Sequence, residues 1–160
     1  MQFKLIQYQE KYKEQIIEFI LNIQRNEFGI NITREEQSDL EDIPLHYLRP
    51  GGQFWIAVND VDEVIGTIGL VKLSGSNSAL KKMFVNQNYR NLKLGRKLLN
   101  KVIEASKDTH ITDIYLGTID KFISAQHFYS NNNFDKIKKS ELPSDFPKLD
   151  VDNRFFHRKL

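Results

Sequence analysis

Residues 79–107, ALKKMFVNQNYRNLKLGRKLLNKVIEASK, decide the fold. The apolar run ending in Met83-Phe84-Val85 reads as a strand, and Asn86 to Asn91 as a polar loop. Leu94, Leu98, Val102 and Ala105 then recur at three- and four-residue steps, with Leu99 and Ile103 widening the stripe. That spacing predicts an amphipathic helix. Gly95 falls in its first turn, where a missing side chain lets a ligand approach backbone N–H groups that favour an anion. Lys93, Arg96 and Lys97 crowd the same end, opposing the helix dipole unless an anion offsets them. An ordinary strand–loop–helix crossover with a basic helix start fits these residues equally well. Within the strand, Lys81-Lys82 breaks the two-residue alternation between Leu80 and Met83. One bulge would repair it, splay the strand from its neighbour and free backbone groups.

Tyr89-Arg90-Asn91-Leu92-Lys93-Leu94-Gly95-Arg96-Lys97-Leu98-Leu99 resembles the acetyl-coenzyme A signature of GNAT-type N-acetyltransferases, Gln/Arg-x-x-Gly-x-Gly/Ala. Arg90 matches its first position and Gly95 its last, while Lys93 stands at the first glycine, where a residue with a Cβ can take a helical conformation provided the pyrophosphate need not touch its Cα. Ser124 to Phe134 is similar to a second family segment, Ala-x-x-x-Tyr-x-x-x-Gly-Phe, with Asn133 in the glycine position. Asn is the next-best residue for a left-handed helix end. Phe122 replaces an asparagine that the family often carries three residues before the alanine.

The resemblance implies a mixed α/β sheet of the GNAT type, with acetyl-CoA as cosubstrate, no metal, and a primary amine as acceptor. It implies that Met83, Phe84 and Val85 pair through their backbone with the pantetheine amides. Arg90, Asn91, Leu92, Lys93, Leu94, Gly95 and Arg96 would hold the pyrophosphate, with Ser124 also at the cofactor. Tyr129 matches the tyrosine that protonates the departing thiolate, which the chemistry requires of some donor. A tyrosine on the inner face of a helix is also an ordinary core residue. The family often has a glutamate base on the strand that Ala79 to Val85 occupies, and this chain has none. Glu27, Glu36 and Asp39 would wall the acceptor site, although solvated surface carboxylates explain each more simply. Helix capping accounts for Asp120. No base is assigned from the sequence. A catalytically silent acyl-CoA-binding module on the same fold is the rival reading.

The remaining chain reads outward from this core. Phe3 to Gln7 is a short strand, and Tyr12 to about Asn26 a helix ended by Gly29. Thr33 and Glu36 have capping-box spacing for a second helix to about Leu40, and Pro44 and Pro50-Gly51-Gly52 punctuate a long loop. Gln53–Asn59 and Glu63–Leu73 are strands, with Trp55 in the core. Ile111–Thr118, Phe134–Lys138 and Val151–Leu160 are further strands, and Phe122–Asn131 a helix. The order is β-α-α-β-β-β-α-β-α-β-β, expected as one domain over residues 1–160. The terminal aromatics in FFHRKL fit either a homodimer edge or burial.

Composition narrows the classes. With 23 basic and 21 acidic residues the formal charge is +2, which gives no support to nucleic-acid binding. There is no cysteine, so thiolate chemistry is excluded, and the four histidines share no ligand spacing. No apolar stretch approaches a membrane span, and a reducing cytoplasm is the expected address.

Overall fold

A computed structural model describes residues 2–160. The elements are β1 (Phe3–Gln7), α1 (Lys13–Asn22), β2 (Gln53–Asn59), β3 (Val64–Lys72), β4 (Asn77–Val85), α2 (Leu94–Ser106), β5 (Asp113–Thr118), α3 (Ile123–Asn131), β6 (Asp135–Ile137) and β7 (Arg154–Lys159). They form a mixed seven-stranded sheet ordered β1-β2-β3-β4-β5-β7-β6, antiparallel except where β4 runs parallel to β5. Alternation along β2 splits the core into two layers. Phe54, Ile56 and Val58 bury against Ile16, Ile17 and Ile20 of α1, whereas Ala57 joins Leu94, Leu98, Leu99 and Val102 of α2 on the other face. No described helix is long and apolar enough to cross a membrane.

The expected bulge is present. Thr67 faces Phe84 while Gly69 faces Lys81, so β4 carries one residue more than β3 across this interval. Lys82 adopts a left-handed backbone with φ 55°, and the Thr67 hydroxyl donates to its carbonyl at 2.7 Å. The extra residue puts Leu80 and Met83 on the α2 face and turns Phe84 to the α1 face. It also accompanies a fork. β4 pairs with β5 only from Asn77 to Ala79, opposite Asp113 to Tyr115. From Leu80 and Leu116 onward the two strands share no ladder, and their inner edges face an open cleft.

Several expectations need correction. The first long helix closes in a wide turn, Ile23–Glu27, where the Phe28 N–H reaches the Ile23 carbonyl at 3.1 Å. The second helix is a kinked 3₁₀ segment, Glu35–Glu41, although the Thr33/Glu36 capping box forms as read. Pro44 opens a helical turn, Pro44–Leu48, inside the supposed loop, and the polar loop read over Asn86–Asn91 is largely a 3₁₀ turn, Gln87–Leu92, capped by the Asn86 side chain. Phe155 and Phe156 are buried within the chain, so these two aromatics present no dimer edge. Trp55 is only half-buried, with the Lys101 ammonium 5.2 Å from its ring centroid.

Lys93 is not helical. Its φ of 60° caps α2 in the left-handed region, as Asn133 does after α3 with φ 68°. The family glycine is thus replaced by a residue that strains this conformation by about 1–2 kcal/mol. Lys93→Gly should leave thermal stability unchanged or raise it, because the relief exceeds or balances the added chain entropy of about 0.5–1 kcal/mol. Lys93→Val should lower it, since a branched side chain tolerates positive φ least. Equal melting temperatures for the valine variant and the wild type would contradict the strain.

Candidate active site

The fork opens into a cleft of about 1000 Å³. Its walls come from the α1 extension (Gln24 to Ile32), the inner edges of β4 and β5, the first turn of α2, one face of α3, and the loop 146–152. Met83, Phe84, Val85, Arg90, Lys93, Gly95, Arg96, Ser124 and Tyr129 all line it. Asn91 and Leu92 do not; they lie exposed outside the wall. Leu94 does not either, because it is the first residue of the buried α2 stripe and is fully enclosed by the core. It can offer the cleft only its backbone.

At the α2 end the chemistry suits an anion. Leu94, Gly95 and Arg96 begin the helix, so their amides have no carbonyl one turn earlier to bond. Gly95 is fixed by packing as well as by approach: a Cβ there would meet the Phe128 ring at 3.2 Å and Met83 at 3.5 Å. Lys93 and Arg96 flank these amides, and the Arg96 guanidinium also donates to Asn132 at 3.3 Å. Further along, the unladdered edges of β4 and β5 offer backbone groups to an extended ligand. A ligand with amides along an extended arm and a diphosphate at one end fits this arrangement.

Arg90 departs from its expected role. Its guanidinium folds back on the Val85 carbonyl at 3.0 and 3.2 Å and pairs with Glu27. The Val85 carbonyl is therefore already engaged, and Glu27 is an exposed residue whose carboxylate pairs with Arg90. Glu36 remains an exposed capping residue. Asp120 does not cap α3, whose N-terminus has no side-chain cap; it lies 3.9 Å from Arg154. Phe122, in place of the family asparagine, stacks on Phe28 with centroids 4.7 Å apart, joining the two walls.

Tyr129 rests among the rings of Phe128, Phe134 and Phe156. Its hydroxyl bonds to no described residue and yet is not sealed from solvent, so it opens on the cleft. Burial, helped by the charge of Asp152, pushes the phenol up to about 12. It is therefore a proton donor at neutral pH, and a phenolate there is costly.

Two cleft residues were missed from sequence. The bulge turns the Lys82 ammonium into the α1 layer, where it donates to Gln37 at 2.6 Å and lies 3.8 Å from Asp39. Gln37 and Gln24 exchange buried amide bonds at 2.8 and 3.0 Å, and the Tyr47 hydroxyl donates to Asp39 at 2.6 Å. Burial lowers Lys82 to about 8, against the opposing pull of Asp39. The broken alternation at Lys81-Lys82 was its only sequence signal. Asp152, in the loop before β7, is partly buried in the cleft, and its carboxyl is raised by that burial while Lys81 opposes the shift. No periodicity marks a loop residue of this kind.

The model of the acetyltransferase (GNAT) family matches residues 17–134, well over half of the chain. The chain belongs to this family. An acetyltransferase of the GNAT family from Staphylococcus aureus Mu50 superposes with a TM-score of 0.96 at 60% identity, covering 99% of each chain. An acetyltransferase from Streptococcus agalactiae 2603 gives 0.93 at 30% identity, covering 99% of this chain and 98% of its own. The N-acetylaspartate synthetase of Xenopus tropicalis is 31% identical over 63% of this chain, a segment that spans 38% of that relative.

Lys82 makes stability depend on pH. Folding lowers its pKa, so between about 8 and the ordinary 10.5 the unfolded chain holds a proton that the native one has lost. Its contribution to stability is thus present at high pH and lost as pH falls through about 8. Between pH 7.5 and 9.5 the melting temperature of the wild type should gain on that of Lys82→Met. Parallel melting curves of the two proteins over that range would rule this out.

Proposed function

We propose that this chain is an acetyl-CoA-dependent N-acetyltransferase that moves acetyl directly to a primary amine, working as one domain over residues 1–160. The observation that carries the reading is the fork. Unladdered strand edges lead from a cationic helix start toward a tyrosine whose hydroxyl has no partner among the described residues. Family membership and the acetyltransferase relatives support it. Acetyl-CoA would supply an activated thioester. The amides of Leu94, Gly95 and Arg96, with Lys93 and Arg96, would hold its diphosphate; the backbone of Met83 and Phe84 would align its extended arm. Arg90 can join the phosphates only by releasing Glu27 and Val85. Ser124, exposed on the first turn of α3, would border the arm.

Tyr129 supplies the proton that a departing thiolate needs. Its raised pKa keeps the phenol protonated at neutral pH, so a donor is in place when the thiolate forms beside it. The absence of cysteine from the chain agrees with attack by the amine itself rather than through a thiol intermediate.

Calorimetric titration with acetyl-CoA tests the binding half. Micromolar affinity is expected for the wild type, and its loss in Gly95→Glu, whose side chain would collide with Phe128 and Met83 and place a negative charge at the phosphate cradle. Tyr129→Phe tests the chemical half: acetyl-CoA affinity should persist while kcat drops roughly 10²-fold or more, in the range of general-acid contributions. Full turnover by that variant would remove Tyr129 from the mechanism. A wild type that binds acetyl-CoA but acetylates no amine in a broad panel would favour a silent acyl-CoA-binding module.

A further inference from the structure

The acceptor side of this site lacks a base on β4, and the structure offers a group from elsewhere. Along β5, Ile114 and Leu116 point into the α2 layer that also holds Tyr129, while Tyr115 packs with Phe146 and Leu142 on the opposite face. By the two-residue period Gly117 shares the face of Tyr115. The Asp152 carboxylate lies directly over it. A Cβ at Gly117 would come within 2.6 Å of Asp152 Oδ2, so the missing side chain makes the seat in which the carboxylate sits. Asp152 accepts no hydrogen bond from a described residue and is not sealed from solvent, so its lone pairs open on the cleft. Tyr129 feels its charge. The phenol and the carboxylate therefore approach the fork from opposite faces of the sheet.

We propose that Asp152 is the acceptor-side catalytic residue: its carboxylate seats the ammonium of a primary monoamine with an apolar body and takes the proton lost before attack. This rests on the acetyltransferase reading above. The charges in the cleft select the substrate class. Glu27 and Asp152 are the acidic residues among its described lining; Glu27 is held by Arg90, while Asp152 feels the charge of Lys81 but has no ion pair or hydrogen bond with it, which leaves one carboxylate open to one cation. A polyamine would find no second one. Lys82 is itself committed to Gln37 and Asp39. Apolar residues of the cleft wall include Phe146, Leu149 and Val151 from the loop that carries Asp152 and Phe28, Ile30 and Ile32 from the α1 extension. Leu149 and Val151 remain 50% and 58% exposed, surface that an apolar amine would cover.

The proton count closes. The ammonium gives one proton to Asp152, which passes it to water. The freed nitrogen lone pair forms the C–N bond at the thioester carbonyl carbon. The C–S bond then breaks, the thiolate takes the Tyr129 proton, and the second proton of the new amide nitrogen returns to the Tyr129 phenolate. One proton reaches solvent for each amide formed, and both side chains end as they began.

The test uses Asp152→Asn, which keeps shape and removes charge, with 2-phenylethylamine as the amine probe. Acetyl-CoA affinity should stay within twofold of wild type. Calorimetric affinity of 2-phenylethylamine for the protein saturated with coenzyme A should weaken at least tenfold, and kcat/KM for its acetylation should fall at least 100-fold. Tyr129→Phe, by contrast, should lose kcat and keep amine affinity. Amine affinity and kcat/KM within threefold of wild type in Asp152→Asn would overturn the assignment alone. Higher wild-type kcat/KM with spermidine than with 2-phenylethylamine would overturn the monoamine class. A wild type that binds no acetyl-CoA would overturn the acetyltransferase reading and this assignment with it. If Asp152→Asn does not fold, Gly117→Ala puts a methyl group in the carboxylate's seat; amine affinity at least threefold weaker supports the proposal, and unchanged affinity overturns it.

Discussion

One surplus residue in β4 organises this molecule. A strand that kept strict alternation past Leu80 would send Lys82 to the α2 face and Phe84 after it, exposing a charge to an aliphatic layer. The bulge instead rotates the strand by one position, and the left-handed backbone of Lys82 delivers its ammonium to the α1 side. An ammonium there needs partners, because an unpaired buried charge is not tolerated. Gln37 and Asp39 provide them, and they are in turn held by Gln24 and Tyr47. The α1 extension and the 3₁₀ segment are thus tied to the sheet where the cleft begins. Removing one partner from a buried charged cluster of this kind costs about 3–5 kcal/mol. The cleft wall built by the α1 extension is thus anchored at the residue where the β4 bulge lies.

The fork then separates two tasks in space. Cationic residues and helix amides gather at the α2 end, where they oppose the helix dipole and are unfavourable without an anion. At the other end Lys82 lies beside Asp39, and Asp152 feels the charge of Lys81 without pairing with it. A ligand with a charged end and a neutral arm therefore has one orientation in which both ends are satisfied. Tyr129, with its ring packed among three phenylalanines, has little rotational freedom with which to misplace its hydroxyl.

Much of this was legible from residue order. The bounds of β2 were read to the residue, because QFWIAVN lies between a Pro-Gly-Gly break and an acidic turn. The α2 stripe was clear because its apolar residues bury against one continuous face. Lys81-Lys82 announced the bulge by breaking a period of two. What stayed hidden was set by tertiary contacts rather than by local preference. Nothing local tells a 3₁₀ segment from an α-helix at Glu35–Glu41, where seven residues contain a kink at Gln37. Arg90 was read as a phosphate ligand from its motif, yet a carbonyl five residues earlier and a glutamate on another element claim it. Leu94 falls inside a binding motif and inside a core stripe at once: its side chain belongs to the core, which leaves only its backbone to the motif. Asp152 lies 35 residues beyond Gly117, and only the folding of β7 beside β5 brings the two together.

The pairing of the strands has a further consequence, for association between molecules. The outer edges of the sheet belong to β1 and β6, and both are poorly suited to recruiting another strand. β1 exposes Lys4, and β6 is three residues long with Asp135 and Lys136 in solvent. Short, charged edges of this kind discourage sheet-to-sheet aggregation. The long unpaired edges lie inside, along β4 and β5 beyond the fork, within a cleft wide enough for a thread but not for a folded neighbour. Guarding its periphery while leaving its centre unzipped, the sheet offers strand-like pairing to a slender extended molecule and withholds it from other proteins.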